Sequence, residues 1–361
     1  MSRTVLIMAG GTGGHVFPAL AIAEALRATR DIVWLGTRLG IEARLVPAAG
    51  YPVEWIEVEG LRGKGLGRWL IAPVRLLKAV AQARQALARR RPGVVLGLGG
   101  FASGPGGVAA WLAGAPLVIH EQNAVAGLTN RWLARIATLI AEGFPGSFPA
   151  AQRAVYVGNP VRPEIAALPP PRERFGSRSG PIRLFVFGGS QGSLALNRLV
   201  PAAVALLPAS RRPWVLHQSG AKDSDATASA YREAGVQADV RPFIDDMAAA
   251  YANADLVISR AGASTVAELA AAGVGAILVP YPSAADDHQA RNAEWLGRVS
   301  AAQVVPEAGL TAAELANRLA TLSGNGRARL LAMAEAARAL AVTDAARRVA
   351  DLCLQAEGGR A

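Results

Sequence analysis

The stretch Ile258–Asn292, ISRAGASTVAELAAAGVGAILVPYPSAADDHQARN, decides the fold class and points to the chemistry. The apolar run Ala254–Ser259 predicts a buried strand, Ala261 and Gly262 a turn, and Ser264–Ala272 a helix stopped by Gly273. A second strand, Ala276–Pro280, follows directly. A helix begun by small residues leaves its first N–H groups free and carries partial positive charge. A phosphate can therefore approach Ala263, Ser264 and Thr265 closely, with Val266 and Ala267 completing the turn. Glu268 lies one turn above Ser264 on the same face, where its two oxygens would take both hydroxyls of a ribose attached to that phosphate. Gln289, past the second strand, would return to the same pocket. The plainer alternative is a capped helix carrying a solvated, exposed Glu268.

Outward from this segment, 361 residues suggest two domains of roughly 150 to 200 residues each. A hydrophobic content of 52% with 39 Gly and 22 Pro is the profile of a soluble, loop-punctuated α/β protein rather than of a disordered chain. Cys353 is the only cysteine, which excludes an intrachain disulfide and fits a reducing compartment. The apolar run Val5–Ala9 is too brief for a signal-peptide core, so the expected compartment is the cytoplasm. Val94–Ile119 is uncharged and long enough to mimic a membrane span, but its glycines and Ala115-Pro116 make it a strand, loop, helix and strand.

The net charge of +11 is concentrated. Arg62, Lys64, Arg68, Arg75, Lys78, Arg84, Arg89, Arg90 and Arg91 fall in one segment without Asp or Glu, interleaved with Trp69, Leu70, Ile71, Leu76 and Leu77 and helical from Pro73. Apolar side chains that dip into headgroups, beside cations that meet anionic lipid, predict a membrane-surface element built on Arg68, Trp69, Ile71, Arg75 and Lys78. Few aromatics accompany the charge and no recognition motif is present, so nucleic acid is excluded as a partner.

In chain order, the strand Thr4–Met8 runs into Gly10-Gly11-Thr12-Gly13-Gly14-His15 and a helix from about Pro18 to Ala28. The glycines let backbone N–H groups close around an anion or a sugar. Val16 stands where a dinucleotide fingerprint needs a third small residue, and no acid ends the strand Ile32–Leu35, which disfavours a nicotinamide enzyme. His15, at a helix start that favours its neutral form, is a candidate general base; a loop-fixing histidine is the alternative. The strand Leu117–His120 delivers His120-Glu121-Gln122-Asn123 where open α/β sheets place ligands. Gly158-Asn159-Pro160-Val161-Arg162-Pro163 and Leu168–Pro171 mark a domain boundary, after which Gly188-Gly189-Ser190-Gln191-Gly192 repeats the first glycine loop. The ligand is expected between two such halves. Backbone groups at Ile244 are expected free to pair with a planar base. Asp223-Ser224-Asp225 is discounted as a metal motif, and the four histidines lack metal spacing. Residues Thr311 to Gln355 are expected helical, packed across the back of the fold.

GGTGGHVFPALAIAEAL, GLRGKG, GGFASGPGG, HEQNAVAGLTN, GNPVR, GGSQGS, FIDDMAAAY, RAGASTVAELAAAG and DDHQARNA, in this order along nearly the whole chain, resemble the MurG family of bacterial peptidoglycan synthesis. The resemblance implies two facing Rossmann-like domains of the GT-B glycosyltransferase architecture. Residues 1–161 would form an acceptor and membrane-associating domain, 162–340 a UDP-GlcNAc domain, and 341–361 a helix packing back toward the first. It implies inverting transfer of GlcNAc from UDP-GlcNAc to the 4-hydroxyl of MurNAc in undecaprenyl-diphospho-MurNAc-pentapeptide, without a tightly bound cofactor or metal. Carried over by motif, the donor site would use Thr12, Gly13, Gly14, Asn123, Arg162, Ser190, Ile244, Ala263 to Glu268, and Gln289. His15 would be the base and Glu121 its competitor. A peripheral location at the cytoplasmic face of the inner membrane is implied, with anionic lipid and other cell-wall synthesis proteins as partners. A UDP-GlcNAc 2-epimerase would share the architecture but needs no basic membrane patch; a non-catalytic lipid-binding protein would need only the patch.

Overall fold

A computed structural model describes residues 4–58, 66–282, 287–324 and 326–359, with side chains of the third helix described from residue 73. Two units emerge: residues 1–160 joined by 344–361, and residues 161–343.

The first unit is built on seven parallel strands, β1 (Thr4–Met8), β2 (Asp31–Gly36), β3 (Val53–Trp55), β4 (Val94–Gly97), β5 (Leu117–Glu121), β6 (Leu139–Glu142) and β7 (Val155–Tyr156), in the spatial order β3-β2-β1-β4-β5-β6-β7. β1 is buried from Val5 onward and β4 along its length, because helices cover both faces; hence its strands read as continuous apolar runs instead of alternating ones. The helices are α1 (Gly13–Leu26), α2 (Glu42–Ala48), α3 (Leu66–Arg90), α4 (Ser103–Leu112) and α5 (Leu128–Leu133). The second unit carries α6 (Pro163–Ala166) and α7 (Pro171–Gly176), then β8 (Arg183–Phe187), α8 (Leu194–Ala205), β9 (Trp214–Gln218), α9 (Ser224–Glu233), β10 (Ala238–Arg241), α10 (Met247–Asn253), β11 (Leu256–Ser259), α11 (Ala263–Ala272), β12 (Gly275–Leu278), α12 (His288–Gly297), β13 (Ala302–Val304), α13 (Ala312–Ser323) and α14 (Ala328–Ala339). Its six strands are parallel in the order β10-β9-β8-β11-β12-β13. The last helix, α15 (Ala345–Gly358), returns to the first unit, where Val349, Ala350, Cys353 and Ala356 join the core formed by Val5, Ile7, Ile22 and Leu96. The helical C-terminal region is thus shared: α13 and α14 pack in the second unit and only α15 in the first.

Two helix starts differ from the sequence expectation. α1 begins at Gly13 instead of Pro18, and α3 at Leu66 instead of Pro73, so each proline lies inside its helix. The segment 94–119 resolves into β4, α4 and β5, and no helix among the described residues is long and apolar enough to cross a membrane.

In each sheet the strand order reverses once, between β1 and β4 and between β8 and β11. Loops leaving the carboxyl ends of strands diverge at such a point and open a crevice, the ligand position in open α/β sheets. The sequence motifs lie on these loops.

Candidate functional site

In the first unit the loops after β1 and β4 touch backbone to backbone. A Cβ on Gly100, whose φ is +80°, would lie 2.3 Å from the Gly10 carbonyl oxygen, so only glycine permits the approach. Underneath, the buried Glu42 carboxylate accepts hydrogen bonds from Gly11 N (2.9 Å), Thr37 N (3.1 Å) and the Thr37 hydroxyl (2.7 Å). Thr12 is extended at the N-cap of α1 and its side chain makes no capping bond. Gly13 and Gly14 are therefore the first helical turn, with His15 N and Val16 N bonded to the Thr12 carbonyl.

His15 follows on that turn, half-buried, its ring against Gly99. His15 Nδ1 lies 2.9 Å from Gln122 Oε1; Gln122 Nε2 is 3.0 Å from His120 Nδ1 and 3.1 Å from the His120 carbonyl; His120 Nε2 is 3.0 Å from the Gly158 carbonyl. His120 is fully buried, and burial pushes its imidazole below the usual histidine range. Glu121, the expected competitor for the role of base, is otherwise engaged. Its Oε1 accepts from Asn123 N (2.9 Å) and Asn123 Nδ2 (3.0 Å), and its Oε2 from Gly127 N (3.0 Å) and Asn130 Nδ2 (2.9 Å). Four donors saturate a carboxylate, so Glu121 holds the loop in shape and has no lone pair to offer an acceptor hydroxyl. Asn123 is brought beside it on the same loop.

In the second unit the glycine loop after β8 meets the loop after β9 in the same manner: a Cβ on Gly192 (φ +77°) would fall 1.8 Å from the Ser219 carbonyl oxygen. Gln218 ties this loop to the next one, donating through Nε2 to the Gly189 carbonyl (2.9 Å) and accepting at Oε1 from Ile244 N (2.8 Å). Ser190, exposed on the loop, and Ile244 are thereby brought to one end of the sheet. The Ile244 N–H, expected free, is occupied; its carbonyl has no partner among the described residues.

Gly262 is the extended N-cap of α11 and no side chain caps the helix, while Val266 N returns to the Gly262 carbonyl; the Ala263, Ser264 and Thr265 N–H groups have no partner among the described residues. Val266 is core and Ala267 half-buried. Gln289 does return to this turn: its Oε1 accepts from Ala261 N (3.1 Å) and Tyr281 N (2.9 Å). Gln289 and Tyr281 also line a cavity of about 590 Å³ with Gly188, Ser193, Arg260 and Glu307. Glu268 is not the solvated, exposed carboxylate of the plainer alternative. Oε1 accepts from Arg162 Nε (3.0 Å) and Nη2 (2.9 Å), and Oε2 from the Tyr251 hydroxyl (3.1 Å), with 13% of the side chain exposed. Burial raises its carboxyl above the ordinary value, opposed by Arg162 and Tyr251.

For the proposed membrane element, the side chains of Arg68, Trp69 and Ile71 lie outside the described residues. Arg75 and Lys78 are exposed, as are Val74, Leu76 and Leu77. The charge is less one-sided than the linear count: Lys78 pairs with Glu57 at 2.6 Å, and Arg89 and Arg90 both pair with Glu54 of β3 at 2.5 and 2.7 Å. Acids absent from the segment come to it from β3 and the residues just after it.

Sequence reasoning missed Glu42, Gln218 and the pairing of Glu268 with Tyr251. Each acts on a residue distant in sequence, and only the run of glycines around Glu42 (Gly10, Gly36 and Gly40, all of which a Cβ would press against its side chain) hinted at a buried side chain there.

The glycosyltransferase family 28 N-terminal domain matches residues 5–142 and its C-terminal domain residues 183–349. The chain is 56% identical over 360 residues to a UDP-N-acetylglucosamine–N-acetylmuramyl-(pentapeptide) pyrophosphoryl-undecaprenol N-acetylglucosamine transferase of Nitrosococcus oceani, covering 99% of this chain and 100% of that one. The enzyme of the same name from Aeromonas hydrophila is likewise 56% identical, covering 100% and 99%. The crystal structure of Acinetobacter baumannii MurG superimposes with a TM-score of 0.86 at 39% identity, over 98% of this chain and 99% of that chain. CalG4, a calicheamicin glycosyltransferase, shares the fold at a TM-score of 0.69 and 20% identity. With two parallel α/β units, their switch-point glycine loops and this full-length identity, the chain belongs to the MurG family of N-acetylglucosaminyltransferases, within glycosyltransferase family 28.

Proposed function

We propose that this chain transfers GlcNAc from UDP-GlcNAc to the 4-hydroxyl of MurNAc in undecaprenyl-diphospho-MurNAc-pentapeptide, with inversion at the anomeric carbon. The observation that carries it is the 56% identity to transferases of that name along the whole chain. In the second unit, the open N–H groups of Ala263, Ser264 and Thr265 and the Ser190 loop would receive the donor diphosphate, with Arg162 beside them. The Ile244 carbonyl would accept the N–H of the base. Glu268 keeps one lone pair at Oε2 for a ribose hydroxyl, since Tyr251 is the only partner there among the described residues. Gln289, its oxygen engaged, offers its amide N–H groups to the sugar. In the first unit His15 would take the proton of the acceptor hydroxyl as the oxygen bonds to the anomeric carbon and UDP leaves with the electron pair. Thr12, Gly13, Gly14 and Asn123 would hold the acceptor side or the sugar. Fixed dipoles facing the leaving diphosphate stabilise it as its charge grows, so the scheme calls for no tightly bound cofactor or metal.

An acceptor with an isoprenoid tail is reached at a lipid surface. We place the chain peripherally at the cytoplasmic face of the inner membrane, docked through α3 with its exposed Val74, Leu76, Leu77 and Arg75, among other cell-wall synthesis proteins. UDP release measured with and without undecaprenyl-linked acceptor tests the function. Release that needs the acceptor is expected. Acceptor-independent formation of a 2-epimer would establish the epimerase instead, and binding of lipid without UDP release would leave a non-catalytic binding protein.

A further inference from the structure

We propose that His120 and Gln122 are positioning residues that lock His15 into the one tautomer able to act as a base, proton on Nδ1 and lone pair on Nε2. The inference rests on the assignment of His15 as base and deepens it.

The direction of every hydrogen bond follows from the fixed end of the chain. The Gly158 carbonyl only accepts, so His120 Nε2, 3.0 Å away, must carry a proton. A neutral imidazole has one N–H, so His120 Nδ1 is then an acceptor. The group 3.0 Å from it on Gln122 must be the amide nitrogen, whose other proton reaches the His120 carbonyl at 3.1 Å. That places Gln122 Oε1 toward His15 Nδ1 at 2.9 Å, and an amide oxygen only accepts; His15 Nδ1 must donate. His15 Nε2 is left with its lone pair.

The opposite polarity is costly. A flipped Gln122 amide would set its oxygen against the His120 carbonyl and would require a proton on His120 Nδ1. His120 would then lose the Gly158 bond or carry a charge with no exposed surface, and its burial disfavours the charge. Glu121, the neighbouring carboxylate, is turned away to Asn123, Gly127 and Asn130, and Glu42 to Gly11 and Thr37. A neutral oxygen behind the base has a further consequence. It steers the tautomer and continues to accept Nδ1–H after Nε2 is protonated.

The test is the tautomeric state of His15 by ¹⁵N NMR in the full-length protein labelled at histidine, with steady-state kinetics of Gln122→Met and His15→Gln. A pyrrole-like Nδ1 and a pyridine-like Nε2 are expected for wild-type His15 at about pH 8. Gln122→Met, near in volume but unable to accept, should lower kcat on the order of tenfold to a hundredfold, less than the full contribution of a general base. Its KM for both substrates should stay within about twofold. A wild-type His15 protonated on Nε2 overturns the proposal even if His15→Gln is inactive. His15→Gln with wild-type turnover overturns the base assignment beneath it. The wild-type spectrum decides the tautomer whether or not the variants fold.

Discussion

Replacing Glu268 by alanine should harm the protein twice, in stability and in donor affinity, and the two losses can be separated. The carboxylate accepts three hydrogen bonds, two from Arg162 and one from Tyr251, whose side chain is completely buried. Truncation lets water reach the Arg162 guanidinium, 45% exposed, but strands the Tyr251 hydroxyl. An unpartnered buried hydroxyl costs about 1–3 kcal/mol. A domain of this size loses about 2–4 °C per kcal/mol, so the melting temperature should fall by about 2–12 °C. A ribose hydroxyl deprived of a charged acceptor adds about 1.5–3 kcal/mol to binding, a weakening of UDP by about 10- to 150-fold. Tyr251→Phe removes the stranded group and should leave UDP affinity as in the parent. Protonation gives a third readout. Burial raises the Glu268 carboxyl in the folded state, so between its ordinary value and the raised one the folded protein holds more protons than the unfolded chain, and stability falls as pH rises through that window. Glu268→Gln should remove that slope. Calorimetry showing UDP affinity within twofold for Glu268→Ala would refute the ribose assignment, and an unchanged melting temperature would refute the hydrogen-bond knot.

Three further outcomes are expected. Glu121→Gln turns an amide N–H₂ toward groups that only donate and should cost about 2–5 kcal/mol in urea unfolding; lost turnover at parental stability would restore Glu121 as a base. Cys353, fully buried with its thiol pushed up to about 12, should resist alkylation at neutral pH until the chain unfolds, and rapid labelling of the folded protein would contradict the packing of α15. Substituting Arg68, Trp69, Arg75 and Lys78 together should abolish sedimentation with anionic vesicles while UDP affinity holds, because each basic residue near such a surface contributes about 1 kcal/mol; undiminished sedimentation would remove α3 as the docking face.

The strands were legible in the sequence because parallel strands covered on both faces leave unbroken apolar runs, and their boundaries are off by one or two residues, as at Leu256–Ser259 and Gly275–Leu278. The helix starts were misread for one shared reason. A proline is favoured in the first turn, so Pro18 and Pro73 read as beginnings, whereas both lie within helices that start earlier. That error has a chemical consequence at α1, where the second pair of glycines in the first loop and His15 are helical, so that His15 stands on a rigid turn. The glycine loops, the α11 terminus and Gln289 were visible as local patterns. Partners that act through space were not: Gln122 lies far along the chain from His15, Gln218 from Ile244, and Glu54 and Glu57 from the cations they neutralise.

The two glycine loops share a backbone plan yet are held by groups of different charge, and this bears on what each can receive. Beneath the first, the Glu42 carboxylate takes the Gly11 N–H, so a negative charge already sits against the turn that leads into α1. The second is held by the neutral amide of Gln218, and α11 beyond it has no acidic residue in its first turn and no capping side chain. Partial positive charge at a helix N-terminus falls off within a turn and is largely cancelled by an anion placed there. The first turn of α11 therefore carries no acidic side chain where the Ala263, Ser264 and Thr265 N–H groups point, while in the first unit Glu42 sets a negative charge beside the turn into α1. On the proposed reading, a UDP-sugar, with two phosphates at its centre, gains more from the second unit, and a hydroxyl that gives its proton to His15 has no need of a cationic cradle. The proposed division of labour between the units is thus favoured by the charge of the two buried side chains, Glu42 and Gln218, independently of the motifs around them.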